Sequence, residues 1–319
     1  MTQAPEGPVL ITGGCGFIGS HIAEKLVSLG CQVRILDNLS SGKPRNIAAI
    51  KDRVDFIEGD IRDVEVLEEA MQGIKVVFHE AALVSVFSSV ERPLENHNIN
   101  ITGTLNVLHA AHVAGAKRLV FASSAAVYGN DPSLPKKEMQ RPQPASPYAV
   151  GKITGEYYLS VYASLYGLET VSLRYFNVYG PRQDTSSPYS GVISRFTDAL
   201  RHNQDISIYG DGQQTRDFVY IGDVVQANLL AATSPNVGKG EALNVGTGHR
   251  VSLLELVDVL GRIAKKQPTP AFAEERSGDI RDSVSDIQLA RKWLGYAPAW
   301  TLEAGLTELW NHLTQEKRG

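Results

Sequence analysis

Ser124, Tyr148 and Lys152 are residue types that can together take a proton from a hydroxyl group. Tyr148 and Lys152 stand four positions apart at the start of a helical pattern, so both side chains leave the same face. A free tyrosine, with a pKa of about 10, is a poor base at neutral pH. Bringing it near 7 requires roughly 4 kcal/mol of preferential stabilisation of the phenolate. An ammonium group a few ångströms away and a cationic ring in a partly desolvated site are together of that size. Ser124 follows the apolar run Arg118-Leu119-Val120-Phe121, at a strand end where parallel sheets present ligand-binding residues. Its hydroxyl can bind a substrate oxygen and relay the proton; Ser123 competes for that role. A tyrosine and lysine at this spacing are common by chance, so the argument needs a second element.

That element lies upstream. A secondary alcohol that loses its proton must also lose a hydride, and the segment Gly13-Gly14-Cys15-Gly16-Phe17-Ile18-Gly19 has the form of an acceptor's binding turn. It follows the β-rich run Val9-Leu10-Ile11-Thr12 and precedes a stretch with helical apolar spacing. Gly13 permits the tight turn, Gly16 removes the side chain where a pyrophosphate approaches, and Gly19 lets the helix pack close to the sheet. The spacing is GxxGxxG, a variant of the GxGxxG dinucleotide motif with the same anion-binding logic. The next strand, Gln32-Val33-Arg34-Ile35-Leu36, ends at Asp37, where a carboxylate accepts hydrogen bonds from a ribose 2′-OH and repels a 2′-phosphate. NAD is therefore expected over NADP, although Lys43 and Arg45 lie nearby. Phe17, Ile18 and Asn38 are counted with this cofactor-binding set.

A chain of 319 residues with net charge -4, 43% hydrophobic and 21% charged residues has the composition of a soluble enzyme with a large core. Nothing in that balance favours nucleic acid, and no apolar run is long enough to span a membrane. The opening residues Met1 to Gly7 lack the plan of a secretory signal. With only Cys15 and Cys31, two free thiols in a reducing cytoplasm are expected, and no ligand cluster suggests a metal.

Short apolar runs at 8–12, 32–36, 54–58, 75–79, 118–123 and 171–175 alternate with helical patterns. That alternation predicts an α/β fold, a doubly wound parallel sheet covered on both faces. Residues 1–180 are expected to form the dinucleotide-binding domain, with 210–235 returning to it as strand and helix. The remainder of 181–319 is expected to be a smaller mixed lobe. It has strands near 206–209 and 242–245, and helices near 223–233, 252–265, 286–294 and 301–315. The Pro- and charge-rich loop 130–146 is placed to cover the site.

With these residues in place the chain resembles the extended short-chain dehydrogenase/reductase family, whose dinucleotide domain is of the Rossmann type, and within it the NAD-dependent nucleotide-sugar epimerases. The resemblance covers nearly the whole chain. Besides the glycine turn it rests on Asp60-Ile61-Arg62-Asp63, His79-Glu80-Ala81-Ala82, Asn100, Ser123-Ser124-Ala125-Ala126-Val127-Tyr128-Gly129 and Ser146-Pro147-Tyr148-Ala149-Val150-Gly151-Lys152. Arg174-Tyr175-Phe176-Asn177-Val178-Tyr179-Gly180-Pro181 and Thr215-Arg216-Asp217-Phe218 complete it.

The resemblance implies NAD as cofactor, a UDP-sugar as substrate, and a homodimer joined through helices around 100–115 and 150–166. It implies adenine contacts from Asp60 and Ile61, and a cofactor groove lined by Ala81 and Ala82. Asn100 is implied near the ribose, Ser123 in the cofactor set, and Tyr175 beside the nicotinamide. Asn177, Arg216 and Arg276 are implied to hold the substrate diphosphate, a task that suits bidentate, permanently charged donors. Tyr209, Ser85 and Ser283 join them as substrate contacts.

Related 4,6-dehydratases carry acidic residues where this chain has Ala125 and Ala126, which can do no acid–base chemistry. Epimerisation at C4 through a transient 4-keto sugar is the expected reaction, with UDP-hexoses and UDP-N-acetylhexosamines as substrates. Ser283 stands where galactose-only enzymes tend to have a bulky aromatic, leaving room for an N-acetyl group; Val84 and Ser85 depart from them in the same direction. A hexuronic acid substrate, a net-redox dehydrogenase or reductase, and a non-catalytic NAD-binding protein are the alternatives.

Overall fold

The computed structural model describes residues 3–184, 191–274 and 280–315. Its first half alternates strand and helix: β1 (Val9–Thr12), α1 (Phe17–Ser28), β2 (Val33–Asp37), β3 (Val54–Glu58), α2 (Val64–Met71) and β4 (Val76–His79). Then follow α3 (Val86–Glu91), α4 (Pro93–His97), α5 (Thr104–Val113), β5 (Arg118–Ser124), α6 (Pro147–Tyr166) and β6 (Glu169–Tyr175). The second half holds β7 (Asn177–Tyr179), α7 (Val192–Arg201), β8 (Ser207–Tyr209), β9 (Thr215–Arg216), β10 (Phe218–Tyr220), α8 (Ile221–Thr233) and β11 (Lys239–Val245). It ends with β12 (Val251–Ser252), α9 (Leu253–Ala264), β13 (Ala271–Ala273), α10 (Gln288–Leu294) and α11 (Leu302–Gln315).

Seven strands form one sheet in the order β11-β6-β5-β4-β1-β2-β3, every pairing parallel. Such a sheet must be covered on both faces, and alternate residues of each strand enter two separate cores. Leu10, Leu36, Val77, Leu119 and Phe121 pack in one core with residues of α2, α5 and α6. Ile11, Ile35, Phe78, Val120 and Leu173 pack in the other with residues of α1 and α8. The chain goes one way from β1 to β2 and the other way to β4, so a crevice opens beyond the carboxyl ends of β1 and β4.

Two expectations are corrected here. The strand at 242–245, assigned to the smaller lobe, belongs to β11, an edge strand of the large sheet, with Leu243 opposite Leu173 and Val245 opposite Tyr175. The strand expected to return to the sheet within 210–235 does not: β10 pairs with β7, and β9 with β12. Only the helix of that segment, α8, packs back, against α1, β5 and β6. Apolar periodicity shows that a strand is buried. Its sheet is decided by the crossover, and α8 carries the chain over the α1 face to land β11 beside β6.

The loop 130–146 is pinned rather than loose. Lys136 is 2% exposed; its N–H donates to the Val284 carbonyl at 2.8 Å, and its own carbonyl accepts from Asp286 N and Asn244 Nδ2, both at 2.8 Å. Glu138 accepts from Asn244 N at 2.9 Å. The loop thus fastens the 284–286 segment to the edge of the large sheet.

Candidate active site

The glycine turn sits at the mouth of the crevice. Gly13 has φ +72, and a Cβ there would stand 2.7 Å from Ala81 N, so the turn after β1 lies directly against the chain leaving β4. A Cβ on Gly19 would stand 2.3 Å from the Gly13 carbonyl oxygen, so α1 can start this close only without one. Gly16 is the N-cap of α1 and no side chain caps the first turn, which leaves its N–H groups available to an anion. Phe17 and Ile18 open that helix, and Ala81 and Ala82 border the turn half-buried.

Asp37 closes the far side. Its carboxylate accepts from Cys15 N at 2.9 Å and Leu39 N at 2.8 Å, is 6% exposed, and is raised above the usual carboxylate range by burial. Each oxygen keeps acceptor capacity for a ribose hydroxyl. Lys43 pairs with Asp184 at 3.4 Å. Asn38 donates to Asp60 at 2.8 Å, and Arg62 doubly engages the same carboxylate, holding it down at about 2. The Ile61 side chain is buried in the core beneath Gly103, so adenine could meet only its main chain.

At the other end of the crevice, β5 presents its two terminal serines to opposite sides. Ser123 is 2% exposed and its hydroxyl donates to Glu156 at 2.5 Å, which takes that hydroxyl out of competition with Ser124. Ser124 accepts from Ala126 N at 3.1 Å, and its hydroxyl lies beside that of Tyr148. Tyr148 occupies the first turn of α6. Ser146 caps that helix by accepting from Ala149 N at 3.2 Å, and Ser89 from α3 accepts from Tyr148 N at 3.1 Å. One turn on, Lys152 donates to the Ala122 carbonyl at 2.7 Å, with its ammonium 5.7 Å from the centre of the Tyr148 ring.

Asn100 is bonded by the chain itself. Its amide donates to the Leu83 carbonyl and to Asn96, and its oxygen accepts from Leu83 N. With Asn96 donating to the Pro147 carbonyl at 2.9 Å, the two asparagines tie the loop after β4 to the start of α6. A π-helical turn, Asn98–Gly103, carries Asn100 into that position.

In the protein by itself Tyr148 is pushed up to about 12, first by burial, with the Ser124 hydroxyl pulling it down and the Glu80 charge raising it further. Lys152 is lowered to about 8 by burial, with Glu80 opposing. The pair alone therefore does not make a neutral-pH base. Its ammonium is spent partly on Ala122, and the cationic ring of the cofactor is the remaining source of stabilisation for the phenolate.

Glu80, named in the sequence only as part of a motif, belongs to this site. Its carboxylate accepts from the Tyr175 hydroxyl at 2.9 Å, and that hydroxyl accepts from Asn228 of α8 at 2.8 Å. Burial raises Glu80 to about 7, with Tyr175 and Lys152 pulling it down. Neighbouring His79 stays neutral, lowered to about 3 between Thr12 and Thr104.

The residues expected to hold the diphosphate and other parts of the substrate converge in part. Asn177, Tyr209 and Arg216 line one cavity of about 190 Å³ with Arg195, Phe196 and Gln214. That is smaller than the roughly 300–1,000 Å³ of sites for whole ligands, and suits one part of a larger molecule, such as its heterocycle. Asp217 organises the surroundings, accepting from Thr247 N, Gly248 N and Ser285 N while its carbonyl accepts from Asn177 N. Sequence reasoning did not single it out, although a charged residue between Arg216 and the apolar Phe218 was a signal of burial with partners. Ser283 lies outside the cavity lining, its N–H donating to the Thr215 carbonyl at 3.1 Å. The Ser85 hydroxyl caps α3 by accepting from Ser88 N at 3.0 Å. Arg276 falls outside the described residues.

A glycine turn at a sheet switch point, an uncapped helix start, a carboxylate after β2, and a tyrosine and lysine facing the same crevice define a dinucleotide-dependent α/β enzyme. The donor set fits the dinucleotide, since the turn has no room for a Cβ where the main chains meet. The sequence profile of the NAD dependent epimerase/dehydratase family matches residues 9–246, and the chain belongs to that family. Its cofactor is NAD. The UDP-glucose 4-epimerase of Mycolicibacterium smegmatis is 40% identical over 94% of this chain and 96% of its own. The structure of the UDP-N-acetylglucosamine 4-epimerase of Methanobrevibacter ruminantium, in complex with UDP-N-acetylmuramic acid, superposes with a TM-score of 0.93 at 37% identity, covering 98% and 99% of the two chains. That of the UDP-glucuronic acid 4-epimerase of Bacillus cereus, with NAD and a UDP-4-deoxy-4-fluoro-glucuronic acid, does so at 0.89 and 31%, covering 97% and 99%. Among the described residues no helix is long and apolar enough to cross a membrane, and no group of side chains could hold a metal ion.

Proposed function

We propose that this protein interconverts UDP-hexoses and their C4 epimers, accepting UDP-N-acetylglucosamine and UDP-N-acetylgalactosamine as well as UDP-glucose and UDP-galactose. The observation that carries the reading is the placement of Ser124, Tyr148 and Lys152 at the crevice that begins at the glycine turn, with only Ala125 and Ala126 where an eliminating enzyme needs acids. NAD, when bound, takes up the C4 hydride and returns it.

Tyr148 withdraws the proton of the 4-hydroxyl as the C4 hydride leaves, so the alcohol loses two electrons and two hydrogens to become a ketone. Ser124 holds the oxygen, and Lys152 keeps a positive charge near the phenolate. The keto sugar then turns over, while Asn177, Arg216 and Arg276 hold the diphosphate in place. Hydride returns to the opposite face and Tyr148 gives back its proton, leaving the cofactor as it began. We assign dinucleotide binding to residues 1–180 with α8 and β11, and nucleotide-sugar binding mainly to the remaining segments. Ser283 supports the N-acetyl substrates through its small side chain beside the strand that bears Arg216. A hexuronic acid is the second reading, supported by the likeness to the Bacillus cereus enzyme.

The test is to incubate purified protein, without added NAD, with UDP-N-acetylglucosamine and separately with UDP-glucose, and to follow products by NMR. Appearance of the C4 epimers is the expected result. Silence with NAD added, or stoichiometric release of NADH, overturns the reading for these sugars.

A second copy of the chain is the proposed partner. Val150, Tyr157, Val161 and Leu165 lie on α6 at helical spacing and are 42, 60, 43 and 72% exposed. Introducing Val161→Glu and Leu165→Glu together is expected to halve the mass seen by light scattering. A wild-type protein already monomeric at micromolar concentration would refute it. The two free cysteines agree with a reducing cytoplasmic setting.

A further inference from the structure

Among the described residues Glu80 is the acid in the crevice that the proposed chemistry leaves without a task. Its place is defined on both sides. A Cβ on Gly13 would lie 3.0 Å from the Glu80 carbonyl carbon, so its main chain adjoins the glycine turn. Its side chain reaches across the sheet to Tyr175 at the end of β6. A dinucleotide held on the turn and reaching Tyr148 would cross the end of β4, from which Glu80 projects.

The groups facing it are few. Tyr175 comes from β6, backed by the neutral amide of Asn228 from α8, and Tyr148 and Lys152 come from α6. His79, beside it on β4, is neutral, and the adjoining glycine turn contributes only Cys15, whose thiol is pushed up to about 12 by burial. Lys152 is the only cation among these groups, and one of its three N–H donors is engaged with the Ala122 carbonyl. Among the described residues the carboxylate has one hydrogen bond, from the Tyr175 hydroxyl, and no cation within ion-pair distance, although the Lys152 charge acts on it.

We propose that Glu80 is a counter-charge for the cofactor ring, an anion that favours the cationic, oxidised nicotinamide over the neutral, reduced one. A single positive charge separates the two forms. A carboxylate near the ring in a partly desolvated groove would shift their relative affinity by on the order of tenfold. Such a preference keeps the resting enzyme in the form that can begin a turnover. It also opposes premature ionisation of Tyr148, since Glu80 raises that group as well.

The linkage has a definite sign. Glu80 sits at about 7, well above an ordinary glutamate, so it is largely ionised only above neutrality. Binding of NAD+ stabilises the anion, lowers its pKa and releases part of a proton; binding of NADH does not.

The test uses the full chain and no sugar, so it stands or falls apart from the epimerase reading. Protein first stripped of the cofactor it retains is equilibrated against equal concentrations of NAD+ and NADH at about pH 8 and again at about pH 6, and the bound ratio is read by absorbance. The wild type is expected to favour NAD+ about tenfold more at the higher pH. Glu80→Gln is expected to lose that excess and to abolish the proton released on adding NAD+ near neutrality. Tyr175→Phe keeps the carboxylate but removes the donor that holds it down, so the preference should set in at higher pH; it serves also if Glu80→Gln fails to fold. Bound ratios that ignore both substitutions and the change of pH overturn the proposal.

Discussion

Replacing Tyr148 by Phe is expected to lower kcat for epimerisation by roughly a thousandfold, with KM changed by no more than about threefold. The substitution removes one hydroxyl and leaves a ring of the same shape in a site that is 7% exposed. The fold and the diphosphate contacts should therefore survive. Ser124 caps the turn that follows β5, Lys152 donates to the Ala122 carbonyl, and the Glu80 carboxylate is engaged by the Tyr175 hydroxyl, so none of the three is placed to take over as base. Steady-state kinetics with the NMR assay above give both constants. A variant that keeps more than about a tenth of the wild-type kcat would remove Tyr148 from the proton transfer.

The second large effect is on stability. Arg174→Met is expected to destabilise the protein by about 3–5 kcal/mol. Arg174 and Glu156 are 5 and 6% exposed and meet twice, at 2.9 Å and 2.7 Å. Glu156 also accepts from Ser123, while Arg174 donates to Tyr128 and to the Glu138 carbonyl. Removing the guanidinium strands a carboxylate in the interior and frees the loop that Glu138 anchors. Adding Glu156→Gln should recover most of the loss, since the buried charge goes with it. Urea unfolding of the two variants checks both statements. A single variant as stable as wild type would mean that the pair has access to water.

The sequence resolved the glycine turn, Asp37 and the tyrosine–lysine pair for a physical reason. Each is local: a strand, a turn without side chains and a helix start are contiguous in the chain, and a four-residue interval puts two side chains on one helix face. The choice between Ser123 and Ser124 was not local. It depended on Glu156 and Arg174, which lie 33 and 51 residues further on and claim Ser123 from behind the sheet. Asn100 was legible as an important residue, but its task of gripping Leu83 required knowing that the loop after β4 folds back on it.

The same contrast runs through the whole chain. The sequence by itself determined a doubly wound parallel sheet, a glycine turn at its start and a tyrosine and lysine on one helix face at its centre, because periodicity, turn chemistry and helix spacing are properties of neighbouring residues. Tertiary structure alone decided that β11 joins the large sheet, that Asp217 ties the loops at 247–248 and 285 to β7 beside Arg216, and that Glu80 faces Lys152 in the crevice. Those outcomes depend on which strand ends a crossover brings side by side, and on burial that turns an ordinary glutamate into a group titrating near neutrality. Neither quantity is carried by residues close together in the chain.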